Sequence, residues 1–192
     1  MADSGTASGN ITFTGLVTHT APTVVVKRGT SAAGDNLASN PEIQLSEWTV
    51  SELDKNTVFN QEKARKFQIV IQRPSGTTYN HIQTVEVTLS GAVKNGILLN
   101  NLETNQVTGA ADNVGVALQY YGTTGYEGTG SSVFSGDSAN AEVTYNEPSG
   151  GFAYAEIDPT FYFAAGLQQI DTNKNIGGGN VNSTVTVNVT YE

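Results

Sequence analysis

Hydrophobic positions along this chain recur mostly with a period of two. Near the N-terminus, Ala7, Gly9, Ile11, Phe13, Gly15 and Val17 share one side, and Ser8, Asn10, Thr12, Thr14 and Leu16 the other. That alternation predicts a β-strand with one buried face. Its inward side is unusual in carrying Gly9 and Gly15, because glycine weakens an ordinary strand and marks a place where another backbone approaches closely. The residues ahead of it, Ala2-Asp3-Ser4-Gly5-Thr6, are small and polar. Such a strand is either the edge of its own sheet or an arm inserted into another, and the pattern by itself is that of a plain edge strand more often than of an arm.

The same period continues downstream. Thr23-Val24-Val25-Val26-Lys27, entered through Pro22, is β-prone, and residues 29–40 are polar and read as a loop. Ile43, Leu45 and Val50 lie in an extended stretch with Trp48, and Ser51-Glu52-Leu53-Asp54 has the spacing of a capping box. Glu62-Lys63-Ala64-Arg65 is expected to form at most a short helical turn. Phe67, Ile69 and Ile71 alternate with Gln68, Val70 and Gln72, and Val85, Val87 and Leu89 alternate next. Asn95-Gly96 between Val93-Lys94 and Ile97-Leu98 predicts a two-residue hairpin turn. Strands follow at residues 113–120 and 161–165, separated by a Gly/Thr/Ser turn region at 122–136, and Gly177-Gly178-Gly179 reads as a flexible break. In the final strand Val185, Val187, Val189 and Tyr191 face one way and Thr184, Thr186, Asn188 and Thr190 the other. Short strands with turn signals between them predict an all-β sandwich.

Composition narrows the function classes. The chain has 192 residues, 38% of them hydrophobic, 14% charged, with 21 Gly. Its length suits one domain, or one domain plus a tail. A net charge of −9 with 9 basic residues excludes a basic nucleic-acid footprint and argues against docking on an anionic membrane. No apolar run reaches the roughly 18 residues of a membrane helix, and Met1-Ala2-Asp3 does not start a signal peptide, which fits a cytoplasmic protein or a mature secreted chain; the small, polar start Ala2-Asp3-Ser4 favours the second. With no cysteine, a disulfide framework, a thiol nucleophile and cysteine metal sites are excluded. His19 and His81 are the only histidines and read as surface residues, no G-x-S-x-G elbow occurs, and no catalytic constellation supports an enzyme. The run from Asp171 to Gly177 resembles a calcium loop with its glycine one place late and Asn182 where the bidentate Glu belongs, so a polar hairpin loop without metal is expected.

The segments Gly9 to Val17, Ile43-Gln44-Leu45 with Leu53, Phe67 to Ile71, Asn113 to Leu118, Phe161 to Gly166, and Gly179 to Glu192 together resemble pilin subunits of the chaperone–usher pathway, near the major subunit of type 1 fimbriae. The order, the spacing and the two chain ends carry the resemblance. One departure stands out. Pro22 and Pro74 occupy the positions, seven residues after Gly15 and seven after Phe67, where the family usually has its paired cysteines. Loss of a native disulfide costs about 2–5 kcal/mol, and a compatible proline offsets about 0.4–1 kcal/mol of that.

The resemblance implies an incomplete immunoglobulin-like β-sandwich that lacks its last strand. It divides the chain into an N-terminal extension, residues 1–17, and a pilin domain, residues 18–192. In the family a periplasmic chaperone first fills the open groove, and the next subunit's extension replaces it by strand addition at the outer-membrane usher. On this chain the donor strand would present Ala7, Gly9, Ile11, Phe13, Gly15 and Val17. Val185, Val187, Val189 and Tyr191 would line the groove. Two large plugs, Ile11 and Phe13, their smaller flankers and a backbone ladder would reach about 10 kcal/mol or more before the ordering cost of the tail. The expected protein is a non-enzymatic, cofactor-free structural subunit of an extracellular fimbria, joining head-to-tail with identical or related pilins. A tip or adhesin-like subunit that binds a host-cell receptor or glycan through loops within residues 122–146 is the alternative. A surface domain locked by a Lys–Asn isopeptide bond and a secreted all-β enzyme are weaker competitors.

Overall fold

A computed structural model describes residues 5–10, 23–28, 35–36, 42–54, 59–72, 84–146 and 158–191. Among the described residues there are twelve strands: β1 (Gly5–Asn10), β2 (Thr23–Arg28), β3 (Asp35–Asn36), β4 (Arg65–Gln72), β5 (Thr84–Ser90), β6 (Val93–Lys94), β7 (Ile97–Leu98), β8 (Val114–Gly122), β9 (Ser131–Ser132), β10 (Asn140–Asn146), β11 (Thr160–Gln169) and β12 (Thr186–Tyr191). The same residues include two single-turn helices, α1 (Val50–Leu53) and α2 (Asn101–Thr104). The protein is all-β and its strand ladders are antiparallel. One sheet has the order β1-β12-β5-β10, and the other β3-β2-β4-β11-β8-β7-β6 with β9 beside β8. Among the described residues no helix is long and apolar enough to cross a membrane.

The two sheets share one core. Val85, Val87, Leu89, Val187 and Val189 come from the first, and Val26, Phe67, Ile69, Ile71, Leu118, Phe161 and Phe163 from the second. β5 shows the expected alternation, each second residue buried. β4 does not, because Gln68 and Val70 are buried as well as Phe67, Ile69 and Ile71. Gln68 sits beneath Tyr126, whose hydroxyl donates to Phe67 O at 2.7 Å and whose ring meets Tyr162 edge-on at 5.1 Å. A polar residue on the outer face thus becomes buried under aromatic side chains, which a period of two cannot foresee.

Other expectations shift locally. Asn95 and Gly96 take φ of 52° and 78°, as a two-residue turn between β6 and β7 requires. The polar stretch 29–40 contains the short strand β3, which pairs with β2. Residues 61–63 form a turn rather than a helical one: Asn60 Oδ1 accepts the amides of Glu62 and Lys63, and Arg65 already starts β4. β10 lies within the region read as loops, although Ala141, Val143 and Tyr145 alternate there.

The capping box falls two residues earlier than expected. Thr49 is the N-cap of α1, its hydroxyl accepting the Glu52 amide while Glu52 Oε2 accepts the Thr49 amide at 2.6 Å. Glutamate reaches back to the cap where the shorter Asp54 would not, and Leu53 then points inward against Ala111 and Val114. Lys63 Nζ donates to Glu52 Oε1 at 2.6 Å and lies 5.4 Å from the Trp48 ring centre. The Lys63 hydrogen bond, then those from Thr49, hold the Glu52 carboxyl at about 2. Its folded value lies below its unfolded one, so the contribution of the charged cap is present above the unfolded value and disappears as pH falls toward about 2. Followed by NMR, Glu52 should titrate near 2, and Lys63→Met should move the midpoint upward. Thr49→Ala should cost about 1 kcal/mol in a denaturant titration.

Candidate functional site: the edge where the first and last strands meet

β12 is built from Thr, Val and Asn in strict alternation. Val187, Val189 and Tyr191 are buried, as is Val185 just ahead of the strand, while Thr190 is exposed. It lies between two unlike neighbours. On the β5 side Val187, Val189 and Tyr191 stand opposite Leu89, Val87 and Val85, all buried. On the β1 side the same three stand opposite Gly9, Ala7 and Gly5. Directly opposed residues of an antiparallel ladder occupy the same face. One neighbour therefore matches the valine stripe with large apolar residues, and the other with two glycines and an alanine.

This asymmetry bears on energy. A backbone hydrogen bond contributes about 0.5–1.5 kcal/mol net, and a fully buried Val or Leu contributes about 1.5–3 kcal/mol. The β5–β12 ladder has both terms, whereas the β1–β12 ladder at Gly5, Ala7 and Gly9 rests mainly on the backbone. β1 is the terminal strand of its sheet and also touches β2 of the other sheet. It thus sits where the two sheets come together beside β12.

Of the residues expected in a donor strand, the structure brings Ala7 and Gly9 against Val189 and Val187 of the same chain. Ile11, Phe13, Gly15 and Val17 lie outside the described residues, as do Pro22 and Pro74. The β2–β4 ladder reaches Thr23 opposite Gln72, so the neighbours of the two prolines converge. Val185, Val187, Val189 and Tyr191 form one continuous buried row.

A pocket of about 820 Å³ opens where β12 begins, with Leu45, Trp48, Leu98, Leu118, Leu167 and Val185 among its walls. The segment that forms one wall, residues 42–48, is visible in the sequence only as an extended stretch. The connection from β11 to β12 forms another, and two asparagines fasten it. Asn100, fully buried, donates to Ala111 O and Asn180 O at 3.0 Å each and accepts from Asn182 N at 2.9 Å and Leu102 N at 3.2 Å. Asn113, at φ 59°, donates to Asp171 O at 2.9 Å and Lys174 O at 3.1 Å and accepts from Asp171 N at 3.0 Å.

The glycine run expected to be a flexible break is instead part of this fastening. Gly177 exchanges two backbone hydrogen bonds with Asp112, and Ala111 N donates to Asn180 O. A Cβ on Gly179 would come within 2.5 Å of the Ala110 and Ala111 backbone, so glycine here permits close approach. The Asp171 loop is likewise a hydrogen-bonded turn, with Asp171 Oδ1 taken up by the Asn173 amide. Nearby, burial pushes the Glu103 carboxyl up, and the Asp112 carboxyl beside it adds to the shift against the opposing bond from the Asn113 amide.

No protein-family model and no curated protein matches the chain.

Proposed function

We propose that this chain is a structural subunit of an adhesive surface fimbria that polymerises head-to-tail by strand donation. The single observation that carries the reading is the pairing of the first strand with the last. A small-residue strand at the N-terminal side lies antiparallel along the valine stripe of β12, at a sheet edge, between β12 and β2. The strand orders support an immunoglobulin-like frame in which β2-β4-β11-β8 form one face and β12-β5-β10 the other. On that reading the side of β12 away from β5 is where one further strand is called for, and β1 pairs along it.

Main-chain pairing at a sheet edge does not depend on which copy supplies the strand. The edge that accepts residues 5–10 in one chain can accept the same segment from a neighbour. Head-to-tail repetition of that contact does not close on itself and gives a filament. An unfilled edge of this kind is an aggregation hazard, which gives a periplasmic chaperone and an outer-membrane usher their role before the subunit reaches the cell surface.

The test compares the full chain with one lacking residues 1–14. The full chain should form filaments in negative-stain images and ladders that resist SDS without boiling. The shortened chain should form neither, yet should take up a synthetic peptide of residues 7–17. Two folded monomers indifferent to the peptide would make β1 an ordinary edge strand and end the reading.

A further inference from the structure

The two outer faces of the sandwich carry opposite charge. In the first sheet β5, β10 and β12 send their valines and Leu89 into the core. Their alternate positions point outward and hold only Thr, Ser, Asn and two glutamates, Glu86 and Glu142. In the second sheet Val26 of β2, Phe67, Ile69 and Ile71 of β4 and Phe161 and Phe163 of β11 point inward. Two charged residues, Lys27 and Lys66, stand at the outward positions of β2, β4 and β11.

The spacing matches as well as the sign. Glu86 stands opposite Thr144, and Glu142 is two residues from Thr144 along β10. Lys27 stands opposite Gln68, and Lys66 is two residues from Gln68 along β4. Each pair is thus a diagonal pair on neighbouring antiparallel strands, about 7–8 Å apart at the backbone. Two ammonium groups can meet two carboxylates without either sheet changing shape, and docking offsets the repulsion of like charges within each face. Glu142 is exposed, and Glu86, Lys27 and Lys66 are partly exposed. Both faces are also held in place. Lys66 Nζ lies 5.0 Å from the Tyr126 ring centre, and the Tyr126 ring meets both Tyr121 and Tyr162 edge-on. Ser90 Oγ bonds Asn140 Oδ1 at 2.6 Å across the acidic face. Side chains already ordered lose less freedom on association, and tyrosine is favoured at interfaces. Glu127, next to Tyr126 in the chain, is acidic, and the lysine face stays net positive with it counted.

We propose that these two faces dock on each other between copies of the chain, the Glu86–Glu142 face of one against the Lys27–Lys66 face of the next. The occupant is a second copy because one chain carries both halves of the match, on opposite sides of its sandwich. Approach between two acidic proteins of net −9 is repulsive in most orientations, so this pairing selects one of them. The contact is heterologous, and it stacks copies through the sandwich without closing. Exposed ion pairs contribute little singly, so the contact is weak between two copies and strong only when repeated along an array. It uses neither β1 nor the β12 edge, and it stands or falls apart from strand donation.

A mixture of isotope-labelled and unlabelled full chains tests the contact at low salt. A carbodiimide, which joins amines to carboxylates in contact, should give mixed-isotope peptides linking Lys27 or Lys66 to Glu86 or Glu142. In about 1 M salt, where the screening length is about 3 Å, their yield should fall about fivefold or more. Glu86→Lys with Glu142→Lys, and Lys27→Glu with Lys66→Glu, should each keep the parent's urea midpoint. Each should lower the association constant about tenfold in sedimentation equilibrium of the monomer fraction. Mixed in equal amounts, the two variants should bind each other about as well as the parent binds itself, although both stay net negative. Absence of mixed-isotope links in the parent, or failure of the mixed variants to bind, would overturn the proposal. Loss of association in the lysine variant alone would assign that face to another acidic partner and equally end self-docking. Ladders that resist SDS report strand donation separately. Ladders without the links would keep the filament reading and remove only the face contact, and links without ladders would do the reverse.

Discussion

Asn100→Ala is expected to lower the unfolding free energy by about 3 kcal/mol or more, measured by urea titration with an unchanged slope. Asn100 has no exposed surface and makes four hydrogen bonds, all to backbone groups. Alanine would leave Ala111 O, Leu102 N and Asn182 N without the partner they have now. A buried group left unsatisfied costs about 1–3 kcal/mol; Ala111 O is such a group, and the Leu102 and Asn182 amides, only partly buried, add less each, so the three together outweigh the loss of an average hydrogen bond. Asn180 O keeps its bond from Ala111 N and adds little. Water reaching the pocket would reduce the cost, and this sets the figure at the lower end of the sum. The loss should be local before it is global. Amide exchange at Asn182 and along the start of β12 should quicken before exchange in β4 and β11, because Asn100 ties the connection that delivers β12. Asn100→Asp retains the acceptor but loses both donated bonds, so Ala111 O stays without its partner and the variant should recover only part of the stability.

That site is not legible in the sequence, and the reason is physical. Strands such as β5 and β12 announce themselves because burial on one face imposes a period of two on a contiguous run, and Val85, Val87 and Leu89 or Val185, Val187 and Val189 obey it. The all-β architecture follows from several such runs. Asn95-Gly96 is equally readable, since two successive positive φ values restrict the residue types that fit. Asn100 and Asn113 carry no periodic signal. Their bonds to the connection between β11 and β12 span 58 to 82 positions and end on backbone atoms whose own residue types are irrelevant. The burial of Gln68 under Tyr126 is of the same kind. Glycine misleads for a related reason: Gly177 and Gly179 are demanded by the proximity of Asp112 and Ala110, and sequence alone cannot tell close approach from freedom. The β12 stripe is visible as a buried row, whereas the partner strand that covers its edge can be named only as a choice between the chain itself and another copy.

Val189→Asp should separate the face of β12 that matters from the face that does not. Val189 is fully buried, between Val87 on β5 and the Ala7 position on β1. An uncompensated carboxylate there should cost about 3–5 kcal/mol near neutral pH. Burial favours the neutral acid, so the folded value of the new group rises above its unfolded value of about 3.9. The penalty must therefore be smallest below that unfolded value and must grow as pH rises through the window up to the raised folded value. Urea titrations at acid and neutral pH should show the variant approaching the parent at acid pH, where the introduced carboxyl is protonated, and falling away from it at neutral pH. Val189→Thr, similar in shape and uncharged, should show no such pH-dependent gap. Asn188→Asp adds the same charge one residue along, on the opposite face, and should leave both stability and uptake of the residue 7–17 peptide close to the parent. Val189→Asp should abolish uptake at neutral pH even at temperatures where the protein remains folded, because any strand laid beside β12 must cover that carboxylate. If Asn188→Asp blocked the peptide as strongly, charge repulsion with an acidic chain of net −9 would be the cause, and the buried row of β12 would lose its claim to be the receiving surface.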